Sequence, residues 1–113
     1  MPQPIGKTAP RDAGGSNLVR TSSLGSCLTI HVEGRFDFNC HQQFRRAYEG
    51  AAAPVTEYVV DLRGTEYIDS AALGMLLVLR ESAGSASVRI TNSRPAVRKI
   101  LQIANFNTLF AID

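Results

Sequence analysis

A chain of 113 residues with 44% hydrophobic and 19% charged side chains suits one compact domain with one core, and is too short for two. Twelve Lys and Arg against ten Asp and Glu leave a net charge of +2, and the basic residues are scattered (Arg45-Arg46, Arg89, Arg94, Arg98-Lys99), so no nucleic-acid surface is implied. Cys27 and Cys40 are lone thiols without CxxC spacing, and no apolar leader opens the chain, so the expected location is the cytoplasm with both thiols reduced.

Residues 1–17, MPQPIGKTAPRDAGGSN, read as a disordered tail, because three Pro, a Gly pair and few large apolar side chains cannot offset the entropy of ordering. The ordered domain is expected over 18–113. A short first strand begins near Leu18-Val19 and turns at Gly25-Ser26. In the second strand, Cys27 to Glu33, Leu28, Ile30 and Val32 alternate with Thr29, His31 and Glu33, the period of a sheet with one buried face. Arg35 to Asn39 then reads as a connection, with Asn39 the N-cap of a helix from about Cys40 to Ala52. Phe44, Ala47, Tyr48 and Ala51 form its apolar stripe, and Pro54 stops it.

Tyr58 to Leu62 is an almost continuous apolar run, the mark of a strand covered on both faces. Arg63 to Ile68 reads as a loop leading to Asp69-Ser70, where a second helix starts and runs to about Ser82 before Gly84. Ser87 to Thr91 forms a fourth strand. Asn92 or Ser93 is expected to cap a third helix with Pro95 in its first turn and Val97, Ile100, Leu101 and Ala104 on its buried stripe. Thr108 to Ile112 reads as a fifth strand. Strands alternating with helices imply an α/β fold with a largely parallel sheet, made mixed by the antiparallel opening hairpin.

Several chemistries can be set aside. Cys27 and His31 lie roughly 13 Å apart along a strand, too far to share one ion at the ~2 Å of zinc–ligand bonds. Cys40-His41 lacks a carboxylate at helical spacing, so no metal site is expected. Gly34, Gly64 and Gly74 are isolated, and neither GxGxxG nor GxxxxGK occurs, so no nucleotide cofactor is expected. Ser70 lacks the flanking glycines of a nucleophile elbow, and a triad would have to borrow His31 or His41 from far upstream. The longest apolar run, Ala71 to Leu79, is about half of the ~20 residues of a bilayer span.

What remains is Asp69-Ser70-Ala71-Ala72-Leu73-Gly74-Met75-Leu76-Leu77. Capping explains the Asp and Ser. The helix beyond them is apolar nearly all round, and in so small a domain full burial is hard to achieve. An exposed patch around Ala72, Met75 and Leu79 is therefore expected as a partner surface.

Asp69-Ser70-x-x-Leu73-Gly74 resembles the Asp-Ser-Ser-Gly-Leu-Gly motif of STAS domains, the anti-sigma factor antagonists of bacterial partner switching. Val32-Glu33-Gly34-Arg35-Phe36-Asp37 is similar to that family's strand ending Gly-x-(Leu/Phe)-Asp, and Val59-Val60-Asp61-Leu62 resembles the strand before the motif. The resemblance runs from about Leu18 to Ile112. Ala71 and Ala72 depart from it, leaving Ser70 as the one acceptor in the motif. Many relatives also carry a further helix beyond the point where this chain stops, at Asp113.

The resemblance implies a mixed sheet of four to five strands with about three helices, and an edge that a homodimer could cover. It implies a regulatory binding protein, not an enzyme. The unphosphorylated form would bind an anti-sigma factor with serine kinase activity through Asp37, Asp69, Ala72, Leu73, Gly74, Met75 and Leu79. Phosphorylation of Ser70 would release that partner, and a serine phosphatase would restore binding. Two other functions stay open: an unphosphorylated STAS subunit of a lipid-transport or stressosome-like assembly, and a small hydrolase built on Ser70.

Overall fold

The computed structural model describes residues 17–51 and 54–113. The expected N-terminal tail lies outside these, except for Asn17, which opens the first strand, and so does Ala52 at the expected end of the first helix. Strand β1 (Asn17–Leu24) folds back antiparallel onto β2 (Cys27–Phe36), with Leu24 opposite Cys27 across Gly25-Ser26. Gly25 has φ of +61°, which glycine adopts without steric cost and which suits a two-residue hairpin.

The alternation read in β2 is the one that the sheet uses: Leu28, Ile30 and Val32 are buried, while Thr29, His31 and Glu33 stay partly exposed. The strand runs three residues further than expected. A bulge between Gly34 and Arg35, with Gly34 at φ +84°, lets it continue through Phe36 and pair with β4 (Thr65–Ile68), a strand formed by a segment expected to be loop. Thr65 is buried, and its hydroxyl donates to the Val32 carbonyl at 2.6 Å. A short polar segment is thereby tied to the centre of the sheet.

The remaining elements are a 3-10 turn (Phe38–Cys40), α1 (His41–Glu49), β3 (Glu57–Asp61), α2 (Ser70–Ala83), β5 (Ser87–Thr91), α3 (Pro95–Ile103), a 3-10 turn (Phe106–Thr108) and β6 (Ala111–Ile112). The sheet order is β1-β2-β3-β5-β6, with β4 also on β2; all neighbours are parallel except β1 and β2. The fold is thus the expected mixed α/β sheet with three helices. It has six strands because β4 forms one, and the last strand is only two residues long.

Side chains of the sheet and of all three helices join one buried cluster. Phe36, Phe44 and Tyr48 form its aromatic seam, with ring centroids 5.0 and 5.8 Å apart. Each fully buried large apolar side chain contributes roughly 1.5–3 kcal/mol. The expectation that both faces of β3 are covered is not met: Val60 and Leu62 are buried, but Val59 and Asp61 are only half-buried. One face of the sheet is therefore open and polar. Nor is α3 capped by Asn92 or Ser93. Its N-cap is Arg94, which makes no side-chain cap bond. Asn92 turns back at φ +59° to bond Asp61, and Ser93 is buried and accepts from Arg98.

Candidate functional site: the start of α2 and the groove beside it

Phe36 of β2 and Ile68 of β4 are register partners on parallel strands, and both are buried. The residue after each is an aspartate, so Asp37 and Asp69 leave the sheet side by side at the carboxyl ends of their strands. Each then caps the next element of the chain. Asp37 Oδ1 accepts the Asn39 N–H at 3.0 Å and opens the 3-10 turn, whereas α1 starts after Cys40 without the side-chain cap expected from Asn39. Asp69 Oδ1 accepts the Ala72 N–H at 3.0 Å and opens α2. The extended backbone at both positions, with φ of −139° and −124°, is the usual N-cap conformation. Arg35 Nε lies 3.3 Å from Asp37 Oδ2, and its guanidinium sits 4.2 Å over the Tyr67 ring.

Ser70 is the first residue of α2 and is exposed. Its hydroxyl stands at the positive end of the helix, where first-turn N–H groups favour a negative charge. The faces of α2 differ from those expected. Ala72 and Leu79 are fully buried and Met75 is 7% exposed, so the three residues expected to form an exposed patch belong to the core. They face the sheet because Ala72, Met75, Leu76 and Leu79 recur at the 3–4-residue spacing of a helix stripe. The outward apolar residues are Leu77 and Val78, at 42% and 55% exposure. Leu73 and Gly74 are half-buried.

A groove of about 520 Å³ runs between α1 and α2, with Phe38, His41, Phe44 and Tyr48 on one side and Ala71, Gly74, Met75 and Val78 on the other. Phe38 is 69% exposed and stacks on His41 at 5.5 Å between centroids. Met75 thus contributes an edge to the groove from the core side. A Cβ built on Gly74 meets no heavy atom within 4 Å, so nothing inside the domain requires glycine there. Of the expected site residues, Gly74 and Met75 line the groove, Asp37 and Ser70 directly precede its lining residues Phe38 and Ala71, and Asp69, Ala72, Leu73 and Leu79 do not line it. Phe38 and Val78 were missed. Phe38, set between two apolar-core signals, gave no sign of its exposure.

An accessible hydroxyl on a helix N-terminus, with a carboxylate cap and an apolar groove beside it, can take a phosphate and present it to a docked partner. Hydrolysis at Ser70 has no support: His31 projects from the opposite pleat of β2 and bonds Ser22, and His41 stacks on Phe38. Among the described residues, no group of three or more His, Cys, Asp and Glu could hold a metal ion.

A family model described as "Mlab, STAS domain" matches residues 19–111. A STAS-domain containing protein of Pseudomonas aeruginosa (strain UCBPP-PA14) is 55% identical over 94 residues, covering 81% of this chain and 93% of its own. An anti-sigma factor antagonist from Mycobacterium paratuberculosis superposes with a TM-score of 0.76 at 18% identity, over 90% of this chain and 89% of that one. The Bacillus cell fate determinant SpoIIAA in its phosphorylated form does so with a TM-score of 0.62 at 20% identity, over 85% and 91%.

Proposed function

The chain belongs to the STAS-domain family, and on that premise we propose that it acts as an anti-sigma factor antagonist switched by phosphorylation of Ser70. Unphosphorylated, it binds an anti-sigma factor with serine kinase activity across the start of α2 and the groove of Phe38, Ala71, Gly74 and Val78. Phosphorylation releases that partner, and a serine phosphatase resets the protein. The observation that carries this reading is the exposed Ser70 at the first position of α2, directly after the Asp69 cap and directly before Ala71, which lines the groove. The names of the structural neighbours support it, one being an anti-sigma factor antagonist and another being seen phosphorylated.

A phosphoserine carries about −1.5 to −2 charges. On the free domain the helix dipole favours it by roughly 0.3–1 kcal/mol. Under a docked apolar partner, next to the Asp69 carboxylate, the same charge is desolvated without a counter-ion, at about 3–5 kcal/mol. Since ~1.4 kcal/mol is tenfold in affinity, docking weakens by about two to three orders of magnitude. The interface loses far more than the fold gains, and that difference is what makes a switch.

This reading puts the protein in the cytoplasm with its partners; among the described residues no helix is long and apolar enough to cross a membrane. The test is incubation with the cognate kinase and ATP, followed by intact-mass analysis and peptide mapping. One phosphate on Ser70 is expected. An unmodified protein that still forms the complex points instead to a constitutive STAS subunit.

A further inference from the structure

The open face of the sheet carries a chain of polar groups that the switch at Ser70 does not use. Ser22 on β1, His31 on β2 and Asp61 on β3 occupy three adjacent strands, and Asp61 is the register partner of His31. Ser22 Oγ lies 3.1 Å from His31 Nε2, and His31 Nδ1 lies 3.3 Å from Asp61 Oδ2. The other carboxylate oxygen, Asp61 Oδ1, accepts the Arg63 N–H at 2.9 Å and the Asn92 amide at 3.2 Å. Asp61 is thus held from behind and its free edge is aimed at the imidazole. The ring and the carboxylate meet at an ion-pair distance without an aligned hydrogen bond, and the adjacent negative charge favours the neutral ring's proton on Nδ1, with Nε2 facing the serine. Hydroxyl, imidazole and carboxylate stand in the order that activates a serine nucleophile.

The imidazole and the carboxylate are mostly shielded, at 27% and 17% exposure, while Ser22 is exposed. His31 and Asp61 also line a hollow of about 370 Å³ whose cations are Arg20, Arg63 and Arg94. Arg20 is anchored on Glu33, and Arg94 Nε donates to the Arg63 carbonyl. Arg20 and Ser22 lie two apart on one strand, so their side chains share a face roughly 7 Å apart, and the Arg20 guanidinium is the nearby cation for a developing oxyanion.

We propose that Ser22, His31 and Asp61 form a second reactive site, which accepts the acyl group of a carboxylic ester whose acid portion carries an anionic group. The Ser22 oxygen bonds to the ester carbonyl carbon while its proton passes to His31 Nε2. The tetrahedral intermediate collapses, the carbon–oxygen bond to the leaving alcohol breaks, and the alkoxide leaves with that electron pair and takes the proton from His31. Water then attacks the acyl-serine through the same base, which releases the carboxylic acid and restores Ser22. Asp61 orients the imidazole and stabilises its protonated form. Arg63 and Arg94 of the hollow hold the anionic end of the acyl group.

An alkyl fluorophosphonate reports this activation directly: the Ser22 oxygen–phosphorus bond forms, the phosphorus–fluorine bond breaks, and the serine proton goes to His31. With the full chain, mass mapping is expected to find the probe on Ser22. Ser22→Ala abolishes this adduct, and His31→Ala slows it at least roughly a hundredfold. No adduct on Ser22, or an unchanged rate in His31→Ala, overturns the proposal, because a purely structural tie across the strands leaves the hydroxyl inert. For specificity, 4-nitrophenyl hemisuccinate is expected to turn over faster than 4-nitrophenyl acetate, with the preference lost in Arg63→Ala and Arg94→Ala. Equal rates for the two esters in the unaltered protein overturn the role given to the hollow.

Discussion

Phe36 and Ile68 face each other across β2 and β4, and this one pairing sets Asp37 and Asp69 next to each other where the two strands end. The two halves of the candidate site, far apart in the chain, are brought together by sheet register. Asp37 closes the turn into α1 and Asp69 opens α2, so the walls of the groove start from neighbouring caps.

Removal of the second cap is expected to be mild for the fold and costly for the switch. Asp69→Ala leaves the Ala72 N–H without its acceptor and should lower stability by about 1 kcal/mol, within the 0.5–2 kcal/mol usual for such caps. Phosphorylation of Ser70 should slow with it, because the carboxylate fixes the first turn on which the hydroxyl is presented. Denaturant titration and a kinase time course check the two effects. An unchanged phosphorylation rate restricts Asp69 to capping.

The two sides of α2 make opposite predictions. Met75→Glu puts a carboxylate into a site that is 7% exposed, so it should unfold the domain or cost several kcal/mol. Val78→Glu changes a residue at 55% exposure on the groove. It should fold with stability within about 0.5 kcal/mol of the unaltered protein and lose partner affinity. Circular dichroism with a binding titration on both variants tests this. A Val78→Glu protein that binds normally removes the groove from the interface.

Much of this arrangement was legible in the chain. The alternation of Leu28, Ile30 and Val32, the Asp69-Ser70 helix start and the Gly84 stop each carry a local physical signal, and each element formed where that signal lies. The misreadings came from tertiary effects. Thr65 to Ile68 has no run of apolar residues; it becomes a strand because a bulge at Gly34 lets β2 reach it and the Thr65 hydroxyl finds the Val32 carbonyl. Met75 was expected outside because α2 is apolar all round, and a helical wheel cannot say which of two apolar faces meets the sheet. The pairing of Ser22, His31 and Asp61 depends on the register of three strands, which no spacing in the chain reveals.

Gly74 offers a test that separates stability from function. A glycine inside a helix costs about 1 kcal/mol relative to alanine, and a Cβ at this position meets nothing within 4 Å. Gly74→Ala should therefore raise stability by up to that amount, read from the denaturation midpoint, while it narrows the groove and weakens partner binding. A stabilised variant with unchanged affinity means that the partner does not approach this part of α2.

Acid should expose the Asp61 contacts. Burial pushes this carboxyl up, but the Arg63 N–H, the Asn92 amide and the charges of His31 and Arg63 outweigh it and hold the group below its ordinary value. A depressed carboxyl stabilises the fold above the ordinary aspartate value of about 3.9, and that contribution disappears as pH falls through it toward the folded value. Urea denaturation at a series of pH values should show a shallower acid limb in Asp61→Asn. An identical limb places the acid sensitivity elsewhere.

The most direct test of the central claim is a titration of the anti-sigma partner against four forms of the protein: unaltered, Ser70→Ala, Ser70→Asp and Ser70-phosphorylated. Ser70→Ala should bind like the unaltered protein, since losing the exposed hydroxyl leaves the Asp69 cap and the groove intact. Ser70→Asp adds one charge where phosphate adds nearly two, so it should weaken binding in part, and the phosphorylated form should fall by about two to three orders of magnitude. Equal affinity in all four forms contradicts the switch.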